Sequence, residues 1–208
     1  MLNKPAGLNA EPDLEGNFNL LQWVEEYLKT KGHLPANFFP ALPHRLDRPT
    51  SGLAIVTLRK QALVRIGRQF EDRIVQKTYF ALVEGNPPES LVLEHWHRKN
   101  AGLKRAELRS KAAKGWTEVA LTYRTVMRNH RNALLEIQPK TGKYHQIRAQ
   151  LSSIGHPILN DQLYGARKIA PSAEIALHAG KLKLNHPKSD NLIELEAPLP
   201  DSGVWLNL

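Results

Sequence analysis

A carboxylate set among cations is the first feature of the chain that could do chemistry. It lies in His44-Arg45-Leu46-Asp47-Arg48-Pro49-Thr50-Ser51-Gly52, which runs into the apolar Leu53-Ala54-Ile55-Val56. Two arginines and a histidine suit a carboxylate that works in its charged form. Pro49 fixes one backbone angle of the turn and Gly52 frees another. A loop that feeds a strand holds a reactive side chain rigidly. Taken alone, the segment also fits a surface salt bridge beside a strand.

A second group is Thr141-Gly142-Lys143-Tyr144-His145-Gln146-Ile147-Arg148, continued by Gly155-His156-Pro157-Ile158 and Asp161-Gln162-Leu163-Tyr164-Gly165. The spacing predicts a helix over 144–154 with Ile147, Leu151 and Ile154 on its buried stripe. Arg148 then falls at the edge of that stripe, where it can reach a carboxylate from another element or remain a surface arginine. A third group is Lys77-Thr78-Tyr79-Phe80-Ala81-Leu82-Val83-Glu84-Gly85, in which Tyr79 is either a core aromatic or a site residue. Asn3-Lys4-Pro5-Ala6-Gly7-Leu8, Leu177-His178-Ala179 and His186-Pro187 are weaker signals.

The elements that must position these groups can be read from periodicity. Residues 3–16 form an irregular leading segment. A helix follows over 19–30, with Asn19 as its cap and Gly32 closing its end. A strand is expected at 53–58 and a helix at 60–72 burying Ala62, Leu63, Ile66 and Phe70. Further strands are expected at 75–83, 91–96, 117–127, 133–138, 175–184 and 192–197. Strands with irregularly interspersed helices indicate an α+β fold, not a regular βαβ succession. Neither GxGxxG nor GxxxxGK[ST] occurs, so no nucleotide cofactor is implied.

Composition narrows the function. Within 208 residues, 29 Lys and Arg stand against 20 Asp and Glu, for a net charge of +9. A polyanionic partner is expected, nucleic acid ahead of a membrane surface. Between Arg98 and Lys114 there are seven basic residues (Lys104, Arg105 and Arg109 among them) and Glu107 as the one acid. That stretch is either a solvated loop or a phosphate-contacting element. Cysteine is absent, which excludes disulfides and thiolate metal sites. His95-Trp96-His97 sends two imidazoles to one strand face, but no neighbouring residue completes a metal set. No apolar run is long enough for a membrane span, and a cytoplasmic location is expected.

The His44–Gly52 nonapeptide resembles the catalytic motif of the RluA-type RNA pseudouridine synthases. The other groups resemble further motifs of that family in the same order, so the likeness covers nearly the whole chain. It implies an α+β fold with a mixed, mainly antiparallel central sheet, flanking helices and a central active-site cleft. It also implies one catalytic domain over 1–208, without an RNA-binding module of the S4 type. By the resemblance, Asp47 is the catalytic carboxylate, Arg148 its partner, and Tyr79 lies against the target base. Arg45 is then the candidate to fill the space a displaced uridine leaves. His44, Lys104, Arg105 and Ile147 are the remaining candidates for holding RNA. No metal or other cofactor is implied. The partner is a stem-loop of ribosomal or transfer RNA, and a monomer is the default. The chain departs from the family where Lys143-Tyr144 replaces the usual Arg-Thr and Asn160 stands where glycine is common. The competing reading of another class is a non-catalytic RNA-binding or RNA-chaperoning protein. A glycoside hydrolase is poorer, since it needs a second carboxylate opposite Asp47.

Overall fold

The computed structural model of the protein describes residues 1–207. In chain order its elements are β1 (Leu2–Lys4), α1 (Leu20–Thr30), β2 (Ser51–Ala54), α2 (Lys60–Glu71), β3 (Gln76–Glu84) and β4 (Ser90–Asn100). There follow β5 (Arg105–Arg109), β6 (Thr117–Arg128), β7 (Asn132–Pro139), α3 (Gln146–Ser153), β8 (Leu177–Asn185) and β9 (Leu192–Glu196). This is an α+β fold whose strands pair mainly antiparallel. Two compact units are present: Met1–Lys77 with Ala179–Pro198, and Thr78–His178 with the segment from Leu199 onward. No helix among the described residues is long and apolar enough to cross a membrane.

In the first unit β2 lies between β1 and β8, and β9 also pairs with β8. Lys4 stands opposite Gly52, so the first strand is in register with the end of the Asp47 motif. Helix α1 starts where Asn19 predicts: its side chain accepts from the N–H groups of Leu21 and Gln22, and Gln22 returns the bond to the Asn19 N–H. Helix α2 buries Ile66 in a core shared with Leu53, Ile55, Val75, Leu182 and Leu184. Gln69 is buried beside it because its amide substitutes for a strand neighbour. It donates to the Asn185 carbonyl at 2.9 Å and accepts from the Asn185 N–H at 2.8 Å.

The second unit is built on the strand order β3-β7-β6-β4-β5. Ala81, Leu82 and Val83 are consecutive and all fully buried, so β3 is covered on both faces. On the side away from β7, the Leu82 carbonyl accepts from the Leu159 N–H, and the Leu82 N–H donates to the Ala176 carbonyl. Helix α3 is buried at every position from Gln146 to Leu151, which obliges its polar side chains to find partners inside.

Three expectations need correction in detail. The strand expected at 53–58 begins at Ser51 and ends at Ala54, and Thr57 instead pairs with Ala41 in an isolated bridge. The helix expected from 144 begins at Gln146, because His145 takes a left-handed backbone angle that stops it. The basic stretch 98–114 is not one loop: β4 and β5 form a hairpin through it, with Lys99 opposite Ala106. Its charges hide the alternation that would mark a strand.

Candidate active site

In the first unit the Asp47 motif is a tight turn fixed from several sides. The Asp47 carbonyl accepts the Thr50 N–H at 3.0 Å, closing the turn over Arg48 and Pro49. The Arg48 carbonyl accepts the Gly7 N–H at 2.8 Å, and Arg48 Nε donates to the Gly7 carbonyl at 3.1 Å. Gly52 then has φ +112°, a region L side chains rarely adopt, and its α-carbon is pressed on Ala179. A methyl group there would come within 2.8 Å of the Ala179 carbonyl carbon and closer still to its oxygen and nitrogen.

Lys4 is the residue of this unit that sequence reasoning missed. Its side chain is completely buried, and its ammonium donates to the carbonyls of Pro5 and Leu8 at 2.9 Å and of Arg48 at 3.3 Å. Burial lowers its pKa to about 8, while the negative charge of Asp47 opposes the drop. The ammonium therefore couples electrically to the carboxylate and mechanically to the turn carrying it. The signal in the sequence is only a lysine before Pro-Ala-Gly, which carries no spacing rule of its own.

His44 is held by protein groups. Its Nε2 accepts from the Ile55 N–H at 3.0 Å, and its ring stacks on Phe70 at 4.7 Å. Burial, helped by the nearby Lys77 charge, lowers its pKa to about 4, so the imidazole is neutral and braces the strand after the motif. Arg45 is different: its side chain is 60% exposed and lies 3.5 Å from Glu11. It projects from the turn with its guanidinium open to solvent.

In the second unit Arg148 is buried and bidentate on Asp161, with Nε 2.7 Å from one carboxylate oxygen and Nη2 2.9 Å from the other. The guanidinium carbon lies 5.1 Å from the centre of the Tyr164 ring. The Tyr164 hydroxyl accepts the Ala106 N–H at 2.7 Å and lies 3.1 Å from His145 Nδ1. Burial pushes that phenol up to about 12, so it stays protonated. Asp161 and Tyr164 belong to a quoted motif, yet nothing in their spacing announces that they hold Arg148.

Asn160 explains itself. Its φ is +66°, a left-handed angle that glycine or asparagine tolerates best. Its amide also donates to the Ser172 and Glu174 carbonyls and accepts from the N–H groups of Ile169 and Ala170. The substitution for glycine thus adds a clamp on the loop after Asp161. Tyr144 likewise has a structural use, stacking on His145 at 3.7 Å and donating to the Lys104 carbonyl.

Tyr79 sits on β3, opposite Ile137 and partly buried against the core. Ile147 packs inside that same core. Lys104 and Arg105 are exposed at and just after the tip of the β4–β5 hairpin, where Lys104 has φ +48°. His95 and His97 have separate protein contacts, the first with Gln150 and the second with the Tyr144 carbonyl. Among the described residues there is no group of three or more side chains arranged to hold a metal ion.

The family model described as RNA pseudouridylate synthase matches residues 1–153, and the chain belongs to that family. The ribosomal large subunit pseudouridine synthase D of Nitrosomonas europaea is 32% identical, over 99% of this chain and 61% of its own length. The ribosomal large subunit pseudouridine synthase C of Rickettsia conorii is 33% identical, over 96% of this chain and 64% of its own. The chain thus spans less than two thirds of the length of either relative. Among solved structures, human RNA pseudouridylate synthase domain containing 4 has a TM-score of 0.74 at 25% identity, covering 96% of this chain and 84% of that one.

Proposed function

We propose that the protein isomerises uridine to pseudouridine in RNA, with Asp47 as the catalytic carboxylate. The observation that carries this reading is the Asp47 turn, held by Lys4 and Gly7 on one side and by the Gly52–Ala179 contact on the other. Preorganisation of this kind is what a charge acting on a glycosidic bond requires. The reaction breaks the bond between N1 and C1′, turns the uracil, and joins C5 to C1′. C5 loses its proton and N1 gains one, so no oxidant, energy source or cofactor is consumed.

Tyr79 and Arg148 take the roles that the family resemblance gives them, against the base and in support of the carboxylate. Extracting a stacked uridine costs a few kcal/mol. Arg45, exposed beside the turn, has the planar guanidinium needed to stack and hydrogen-bond in the vacated space. Lys104 and Arg105 supply phosphate contacts from the hairpin. Both curated relatives are named for the large ribosomal subunit, which favours a ribosomal RNA stem-loop as substrate. The enzyme acts as one catalytic domain and as a monomer in the cytoplasm.

The test is release of tritium from RNA labelled at uridine C5, using purified protein. Stoichiometric release with pseudouridine in the digested RNA supports the reading; RNA binding without release contradicts it.

A further inference from the structure

A groove of about 700 Å³ opens in the second unit between the outer edge of β5 and the segment formed by α3 and Gln162–Gly165. Of its lining, Arg105 and Tyr164 also belong to the site described above, and the rest has no part in the proposed chemistry. Its floor is apolar, from Ala106, Leu108 and Ala149, and Trp116 forms one wall. The hydroxyls of Ser152 and Ser153 line the opposite side, their protons donated to the carbonyls of Tyr164 and Gln150 and their oxygens able to accept.

The strand edge adds a reading surface. The Ala106 N–H turns away from β4 to the Tyr164 hydroxyl. By the alternation of an antiparallel strand, the N–H and C=O of Leu108 face the same way, toward the groove. One residue thus offers a donor and an acceptor side by side, which complements the Watson–Crick edge of an unpaired base. The volume lies within the roughly 300–1,000 Å³ of small-ligand sites.

Charge selects among occupants. Arg105 lines the groove, and Arg98 and Arg109 lie against the Trp116 ring at 4.7 and 5.3 Å. Glu107, the one acid of this stretch, is already bonded to Arg98 at 2.8 Å and to Asn100 at 2.6 Å. An aromatic ring that already carries two guanidinium groups over it, beside an open strand edge, fits the base and phosphates of a nucleotide better than a peptide strand.

We propose that the groove is a second nucleotide subsite, which takes one unpaired base of the RNA away from the reacting uridine. The base packs against the Trp116 wall and hydrogen-bonds to the Leu108 main chain. Its phosphates meet Arg105 and Arg109. The proposal rests on the reading of the protein as an RNA enzyme and gives that enzyme a way to select sequence or loop shape around its target.

A short fluorescein-labelled oligocytidylate tests it, since this probe contains no uridine. Its affinity for the full chain is measured at several salt concentrations for the wild type, Trp116→Ala and Ser153→Trp. The second variant fills the groove from its exposed lip and leaves Trp116 in place. Loss of one stacked base weakens binding about 5- to 150-fold, and in Ser153→Trp, which leaves Trp116, Arg105 and Arg109 in place, the dependence on salt keeps its slope. Unchanged affinity in both variants overturns the proposal and leaves the open strand edge to a protein partner. A loss that appears only as a shallower salt slope also overturns it, since the contacts are then to phosphate alone. The two readings fail separately. A protein that binds oligocytidylate through the groove yet releases no tritium from labelled RNA keeps the subsite and loses the isomerase, and the opposite result does the reverse.

Discussion

The ammonium nitrogen of Lys4 lies 3.3 Å from the carbonyl oxygen of Arg48, the residue that follows Asp47. A buried cation thus holds the carboxylate turn by its backbone while its charge acts on the carboxylate itself. Below pH about 8 the ammonium has three N–H donors for its three carbonyls. Above that pH it loses one donor and its charge. Turnover in the wild type should therefore fall as pH rises through about 8. Lys4→Met should be slow at every pH, lack that limb, and be less stable by about 3 kcal/mol because carbonyls are left without a donor. A pH–rate profile of both proteins checks this, and an alkaline limb that persists in Lys4→Met assigns it to another group.

Gly52→Ala should damage the same turn from its other end. The new methyl meets the Ala179 backbone and the residue keeps a left-handed angle. The combined overlap and strain should cost on the order of 3 kcal/mol. Urea unfolding measures the cost, and a midpoint equal to that of the wild type contradicts the close approach.

His44 gives a prediction in pH. Its folded pKa is about 4 against an ordinary 6.5, so between those values the unfolded chain binds the extra proton and the folded one does not. Stability is fully present above pH 6.5 and drains away as pH falls toward 4, by about 3 kcal/mol from this group. His44→Gln has no such titration. The gap in unfolding free energy between the two proteins should close toward acid pH, and a constant gap would show that the imidazole is not held neutral.

Arg148 and Asp161 should behave as a unit. The pair is buried and bidentate, so Arg148→Ala and Asp161→Ala should each lose about 3–5 kcal/mol. Replacing both by apolar residues of similar size, Arg148→Met with Asp161→Leu, should lose much less than the sum of the two. That double variant should fold and still fail to turn over uridine. Additive losses in urea unfolding would mean that the pair does not act as a unit.

What the sequence makes legible follows from how local each interaction is. The turn at Asp47 closes on Thr50, three residues on, and the α1 cap closes within Asn19–Gln22, so both can be read from short patterns. The bond between Arg148 and Asp161 cannot. Asp161 is 13 residues away, and the path between them depends on the left-handed angle at Asn160 and its four bonds to the following loop. The role of Lys4 is hidden for a related reason, since its contact with Arg48 spans 44 residues. Strand β5 is masked by its own charges: Arg105, Glu107 and Arg109 alternate with Ala106 and Leu108, but the flanking lysines and arginines blur the pattern.

The most direct measurement is the activity of Asp47→Asn on RNA labelled with tritium at uridine C5. The amide keeps the size and much of the hydrogen bonding of the carboxylate but removes its charge and its nucleophile. Purified Asp47→Asn should bind RNA at least as tightly as the wild type, because one negative charge has left a surface that meets a polyanion. It should release no tritium and form no pseudouridine. Measurable pseudouridine made by the pure variant would contradict the assignment of Asp47.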